Sequence, residues 1–161
     1  MLIWLIRHGV TELGEEGRYQ GRLDTPLSRR GRLALRQADF APQRLYVSPL
    51  LRARETAQLL FPQSEPHLVS DLREMDFGIF EGRSWREMEH DEQYRAWVDG
   101  GCEGQCPGGE NRADFSARIC AAVREILEAE AEAGSEETEA SVQQLLMPGT
   151  AVTGTENQTH Q

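Results

Sequence analysis

The stretch Leu2-Ile3-Trp4-Leu5-Ile6-Arg7-His8-Gly9 decides the fold class. Its apolar run is far shorter than the roughly 20 residues of a membrane span. The run is unbroken rather than alternating, the pattern of a strand buried on both faces of a parallel sheet. It stops abruptly at Arg7-His8-Gly9, and open α/β sheets bind ligands at the carboxyl ends of their strands. Gly9 lets backbone approach a ligand closely. Arg7 offers a planar fork of donors that fits phosphate oxygens. A histidine in such a place, taken alone, can equally be packed or capping.

Outward from this point the pattern repeats. Leu45-Tyr46-Val47 reads as a second short strand, ended by Ser48-Pro49. From Leu50 to Leu60 the period becomes helical, with Leu50, Ala53, Ala57 and Leu60 on one face. Arg52 falls in the first turn of that helix, where N–H groups and the helix dipole favour anions. Ser28 is placed to cap another helix reaching to about Phe40. After the breaker cluster Pro107-Gly108-Gly109-Glu110-Asn111, the residues Phe115, Ile119, Ala122, Val123, Ile126 and Leu127 predict a helix to about Ala131. Alternating strands and helices predict an α/β fold, a three-layer sandwich with a mostly parallel sheet flanked by helices. Glu74, in Leu72-Arg73-Glu74-Met75-Asp76-Phe77, is flanked by apolar residues just past another apolar stretch. A carboxyl so placed can hold a proton near neutral pH and act as a general acid, or it can be a surface partner of Arg73.

The 161 residues suffice for one domain with one core. All 17 basic residues are arginine, and they sit forward in the chain. Residues 1–54 hold ten Arg against five acids, whereas residues 125–161 hold eight Glu and no Arg. The front third suits anions and the rear repels them. No aromatic interleaving or nucleic-acid module accompanies the arginines, so neither a nucleic-acid nor a membrane partner is expected. Cys102, Cys106 and Cys120 are too few for a disulfide scaffold. Cys102 and Cys106 lack a second ligand pair at zinc spacing, so incidental thiols are the better reading. A soluble, non-exported cytoplasmic protein fits these features.

Beyond about Ala133 the pattern fails, and the C-terminal strand that such a fold should add after its last helix is expected to be missing or replaced. The chain continues through Gly134-Ser-Glu-Glu-Thr-Glu-Ala-Ser to an apolar stretch at Val142–Met147 and then a small polar tail. The expected division is a catalytic domain over 1–133 and a disordered acidic and polar tail over 134–161.

The blocks Arg7-His8-Gly9-Val10-Thr11, Tyr19-Gln20-Gly21 with Asp24, Pro26-Leu27 and Gly31, Ser48-Pro49-Leu50 with Arg52-Ala53 and Thr56-Ala57, Glu74 with Phe77-Gly78 and Phe80-Glu81-Gly82, and Pro107-Gly108-Gly109-Glu110 occur in one order. In that order and spacing they resemble the histidine phosphatase (phosphoglycerate-mutase-like) superfamily. The wording around Phe77–Gly82 is similar to its phosphatase branch, and most to α-ribazole phosphatases of cobalamin synthesis. The resemblance implies hydrolysis of a small phosphorylated metabolite through a phosphohistidine at His8, with Glu74 as proton donor. It also implies that Arg7 and Arg52 clamp the phosphoryl oxygens, with Thr11, Gln20 and Gly21 in the binding loop, and that neither metal nor other cofactor takes part. A non-catalytic phosphate-ester-binding protein and a mutase-type phosphoryl transfer are the competing readings.

Three departures stand out against the family pattern. Val10 replaces a common acid or amide, and Gly14 replaces a common asparagine. The third departure is larger. Relatives follow their last long helix with an apolar strand ending in a second His-Gly beside the first strand. Here only His67, His90 and His160 remain, and none follows an apolar strand. Pro148 follows Val142–Met147 where the histidine would stand. A frameshift or truncation after about Ala133 would explain the change and would leave the apolar edge at Leu2–Ile6 badly covered.

Overall fold

The computed structural model describes residues 2–134 and 142–144. Strand β1 (Arg44–Val47) is central, paired in parallel with β2 (Pro66–Leu68) on one side and β3 (Val142–Gln144) on the other. The register sets Leu45 against Pro66 and Val47 against Leu68, and Arg44 against Val142. Side chains alternate across a strand, and β1 uses both faces. Leu45 and Val47 are buried with Ala53, Ala57 and Phe61 of helix α3 (Leu51–Leu60) and its end. Tyr46 points to the opposite face, where Leu72, Ala122 and Ile126 form a second core with the long helix α5 (Arg112–Gly134). Helix, parallel sheet and helix thus make the expected three layers.

The remaining helices are short and capped by side chains, as their N-terminal residues dictate. Thr11 caps α1 (Glu12–Glu15) by accepting from the Gly14 N–H, and Ser28 caps α2 (Arg29–Ala34) by accepting from the Gly31 N–H. Asp91 caps α4 (Glu92–Asp99) through the Gln93 and Tyr94 N–H groups. Tyr94 and Trp97 of α4 join Met75, Phe80, Met88 and Cys106 in a third core. Among the described residues no helix is long and apolar enough to cross a membrane.

Three expectations need correction. The helix capped by Ser28 stops at Ala34, not near Phe40. Leu35 turns extended, and the Ala38 N–H donates to the Leu60 carbonyl at the end of α3, so a tertiary bond replaces the next helical turn. Leu2–Ile6 forms no strand. A buried parallel strand needs ladder partners, and both edges of β1 are already taken by β2 and β3. The segment instead lies against the α3 core through Ile6, with Trp4 stacked on Phe40 at 5.2 Å. Leu2, Ile3, Trp4 and Leu5 remain exposed. Conversely, a strand does form at Val142–Gln144, within the segment read as lacking one, and it pairs with β1 rather than with Leu2–Ile6. Gly134, the first residue assigned to the acidic tail, ends α5, and the tail's remaining residues lie outside the described ones.

The Pro107–Glu110 breaker interlocks with the chain after Glu74. Gly78 adopts φ 54°, and a Cβ there would strike the Pro107 carbonyl oxygen. A Cβ on Gly109 would strike the Asp76 carbonyl in the same way. Gly78→Ala should therefore lower unfolding free energy by roughly 1–3 kcal/mol or more. Chemical denaturation measures this, and an unshifted midpoint would refute the close packing.

Candidate active site

A cleft of about 590 Å³ is lined by Arg7, His8, Gly9, Val10, Thr11, Gly14, Arg18, Tyr19, Gln20, Glu74 and Phe77. Residues 7–20 supply most of its wall, and Glu74 and Phe77 enter from the loop after the short 3₁₀ turn Ser70–Leu72.

His8 is half-buried, and its Nδ1 lies 2.7 Å from the Gly9 carbonyl oxygen. A carbonyl only accepts, so Nδ1 carries the proton and Nε2 keeps its lone pair. Burial, chiefly, pushes the His8 pKa down to about 4, opposed by the Gly9 bond and assisted by the positive charges of Arg52 and Arg7. The ring is therefore neutral near pH 7. Its backbone is wired to α3, because the Gly9 N–H donates to Thr56 Oγ1 at 2.9 Å and that hydroxyl donates to the Arg52 carbonyl at 2.7 Å.

Glu74 is held differently. Burial raises its pKa to about 7 against the Met75 N–H, Arg52, Arg7 and Arg118, all of which favour the carboxylate. Its Oε1 accepts from the Met75 N–H at 2.8 Å. The site thus sets an unprotonated ring nitrogen and a carboxyl that holds a proton to near neutrality in one cleft, two roles separated by environment.

The other sequence-derived candidates divide. Thr11 and Gln20 line the cleft and are bonded to each other, Thr11 Oγ1 donating to Gln20 Oε1. Arg7 lines it too and is exposed. Arg52 and Gly21 are not on its wall. Arg52 is 1% exposed, with Nη1 donating to the Leu23 carbonyl at 2.9 Å and Nη2 to the Gly21 carbonyl at 2.8 Å. Its charge still reaches His8 and Glu74. The first helical N–H of α3 is occupied as well, since the Leu51 N–H donates to Asp24 Oδ1 at 2.6 Å. Val10 and Gly14, the two small departures, both face the cleft.

Of the remaining histidines, His67 is exposed on β2 beside Tyr46, and His90 is exposed beside Glu89. Neither lines the cleft, and His160 lies outside the described residues. No group of three or more metal-ligating side chains exists among the described residues.

Sequence reasoning missed the supports. Glu81 accepts from the Arg22, Leu23 and Phe77 N–H groups and so holds the 20–24 loop against the Glu74 loop. Arg18 stands at the cleft, held by Glu16, Glu87 and the Gly82 carbonyl. Arg118 on α5 donates to the Glu74 carbonyl, and Glu110 holds Arg118 and accepts from the Asp76 N–H two residues on. Glu81 and Glu110 sit inside recognisable Gly-rich blocks, which is a usable signal. Nothing in the sequence marks Arg18, Arg22 or Arg118.

Known proteins resemble the chain in sequence and in fold. The histidine phosphatase superfamily (branch 1) pattern matches residues 3–135. The chain is 35% identical over 130 residues to the adenosylcobalamin/α-ribazole phosphatase of Salmonella typhimurium, a match covering 74% of this chain and 63% of that one. The crystal structure of the α-ribazole phosphatase from Shigella flexneri superposes with a TM-score of 0.75 at 28% identity, over 91% of this chain and 74% of that one. Phosphoglycerate mutase from Thermus thermophilus superposes with a TM-score of 0.67 at 32% identity, over 92% and 79% of the respective chains. The chain thus spans somewhat under two thirds of the length of the curated relative.

Proposed function

We propose, from the premise that this chain belongs to the histidine phosphatase superfamily, that it hydrolyses phosphate monoesters of small metabolites through a phosphohistidine on His8. The observation that carries this reading is the pairing in one cleft of a neutral His8, its Nδ1 proton committed to Gly9, with the proton-holding Glu74.

In the first step the His8 Nε2 lone pair attacks phosphorus as the bond to the ester oxygen breaks. Glu74 gives its proton to the departing oxygen, so that an alcohol rather than an alkoxide leaves. The Gly9 carbonyl meets the positive charge that develops on the ring. Arg7 at the cleft wall and the buried charge of Arg52 stabilise the phosphoryl oxygens, whose charge matters most in the transition state. In the second step the Glu74 carboxylate takes a proton from water, the water oxygen bonds to phosphorus, and the P–N bond breaks. Inorganic phosphate leaves, and His8 and Glu74 return to their starting states.

Among substrates, a phosphate ester of α-ribazole comes first, on the strength of the Salmonella and Shigella relatives. A mutase reading rests on the similarity to the Thermus enzyme. A binding-only reading rests on the lack of a second histidine at the cleft among the described residues. The deciding experiment supplies p-nitrophenyl phosphate and α-ribazole phosphate and follows inorganic phosphate and a phosphoryl label on the protein. Hydrolysis with a transient acid-labile, base-stable label is expected. Return of the phosphoryl group to a second hydroxyl would establish the mutase, and phosphate-ester binding with no label would establish the binder.

A further inference from the structure

Residues outside the cleft hold Glu74 from behind. Arg118 reaches from α5 to the loop, where Nη1 donates to the Asp71 carbonyl at 2.7 Å and the Arg73 carbonyl at 2.9 Å. Its Nη2 donates to the Glu74 carbonyl at 3.3 Å, and a second guanidinium, through Arg22 Nε, donates to the same oxygen at 3.0 Å. Arg118 is bound in turn by both oxygens of Glu110, Nε to Oε1 at 3.0 Å and Nη2 to Oε2 at 2.9 Å. This is the two-pronged geometry in which an arginine and a carboxylate hold each other most firmly. Glu110 Oε2 also accepts from the Asp76 N–H at 2.9 Å, and Oε1 lies 3.6 Å from Arg22 Nη2. The segment from Asp71 to Asp76 is therefore clamped from one side by a single ion pair.

We propose that Glu110 and Arg118 are positioning residues for Glu74: together they fix its backbone by hydrogen bonds while the carboxylate of Glu110 balances the positive charge that Arg118 brings up to it. The inference builds on the role of Glu74 in the reading above. An arginine alone at this point would anchor the loop and at the same time draw the proton off the acid. Paired with Glu110, it anchors the loop at little electrostatic cost. Burial works against the charge of Glu110, but the Arg118 bonds and the Asp76 N–H outweigh it, so the balancing charge is present at neutral pH. The other charged or titratable groups around Glu74 are Arg7 and His8 from the N-terminal segment, Arg18 and Tyr19 on the same cleft, Arg52 from α3, Arg22 from the loop after Gln20, Glu81 against that loop, and the chain neighbours Arg73 and Asp76. None of them changes in the test.

The test titrates the Glu74 carboxyl directly by ¹³C NMR, its signal assigned by loss in Glu74→Gln, and so requires no turnover. Glu110→Gln leaves Arg118 unbalanced, and the Glu74 midpoint should fall by on the order of half a unit or more. Arg118→Met removes the positive charge, and the midpoint should rise by a similar amount. Arg118→Lys keeps charge without the fork. It should leave the midpoint near its original value while lowering kcat more than it raises KM. Shifts in the same direction, or none, in Glu110→Gln and Arg118→Met would overturn the proposal and leave the pair a purely structural brace. If Arg118→Met does not fold, an unmoved midpoint in folded Glu110→Gln overturns it alone. Absence of phosphatase activity in the parent protein would instead count against the function and leave these titrations readable.

Discussion

His8→Ala abolishes the phosphoryl label and lowers phosphate release by on the order of 10⁴-fold or more, the scale seen when a nucleophile is removed from a hydrolase that uses covalent catalysis. Alanine deletes the Nε2 lone pair, and no other described histidine lines the cleft to replace it. The supports are untouched, because the bond from the Gly9 N–H to Thr56 and the bonds of Arg52 to Gly21 and Leu23 do not involve the imidazole. Loss of the half-buried ring leaves a space facing the cleft rather than a sealed cavity, so melting temperature should change little. Phosphate affinity should not fall, since Arg7 remains and a neutral ring has left. Quench-flow labelling and a steady-state phosphate assay check both parts. A label that persists in His8→Ala, or that survives acid, would place the nucleophile elsewhere.

The residues that carry chemistry were readable because each sits where the chain changes character. His8 follows an apolar run, and Glu74 stands among the apolar Leu72, Met75 and Phe77 just past another. Both lie at the same cleft in the structure. The helix over Leu51–Leu60 was readable for a similar reason, since its buried Ala53 and Ala57 repeat at helical spacing and no competing contact disturbs them. Fold class followed from the alternation of such segments.

What could not be read depended on partners distant in the chain. An apolar run such as Leu2–Ile6 states that burial is favoured, but not which strand edges are open to receive it, and β2 and β3 occupy those of β1. The helix from Arg29 ends at Ala34 because Ala38 bonds to Leu60, more than twenty residues on. Arg52 carries the same ambiguity in a sharper form. Its position in the first turn of a helix suggested a guanidinium open to anions, whereas two backbone carbonyls of the 21–23 loop claim both terminal nitrogens. The brace on Glu74 joins Arg22, Glu110 and Arg118 across three separate segments, and no local spacing predicts such a meeting.

Glu74→Gln separates the proton from the rest of the machinery and lowers turnover by roughly 10²–10⁴-fold, the usual contribution of a positioned acid–base group. Glutamine preserves shape and can still accept the Met75 N–H, so phosphate binding and stability should hold. It cannot protonate the ester oxygen, nor take a proton from water when the phosphohistidine is hydrolysed. The pH profile gives the sharper signature. The His8 pKa, lowered by burial to about 4, requires pH above that value for a free Nε2. The Glu74 pKa, raised by burial to about 7, requires pH below that value for the acid to hold its proton. For the parent protein kcat/KM should therefore be bell-shaped, rising through about 4 and falling through about 7. Glutamine does not titrate, so the residual rate of Glu74→Gln should lose the alkaline limb and keep the acid one. Substrates with a good leaving group, such as p-nitrophenyl phosphate, need less help from the acid. With them the defect should move from phosphorylation of His8 to its hydrolysis, and the phosphoryl label should accumulate in the variant. An unchanged alkaline limb in Glu74→Gln, or a loss confined to binding, would assign the proton to a different group and leave Glu74 a structural residue.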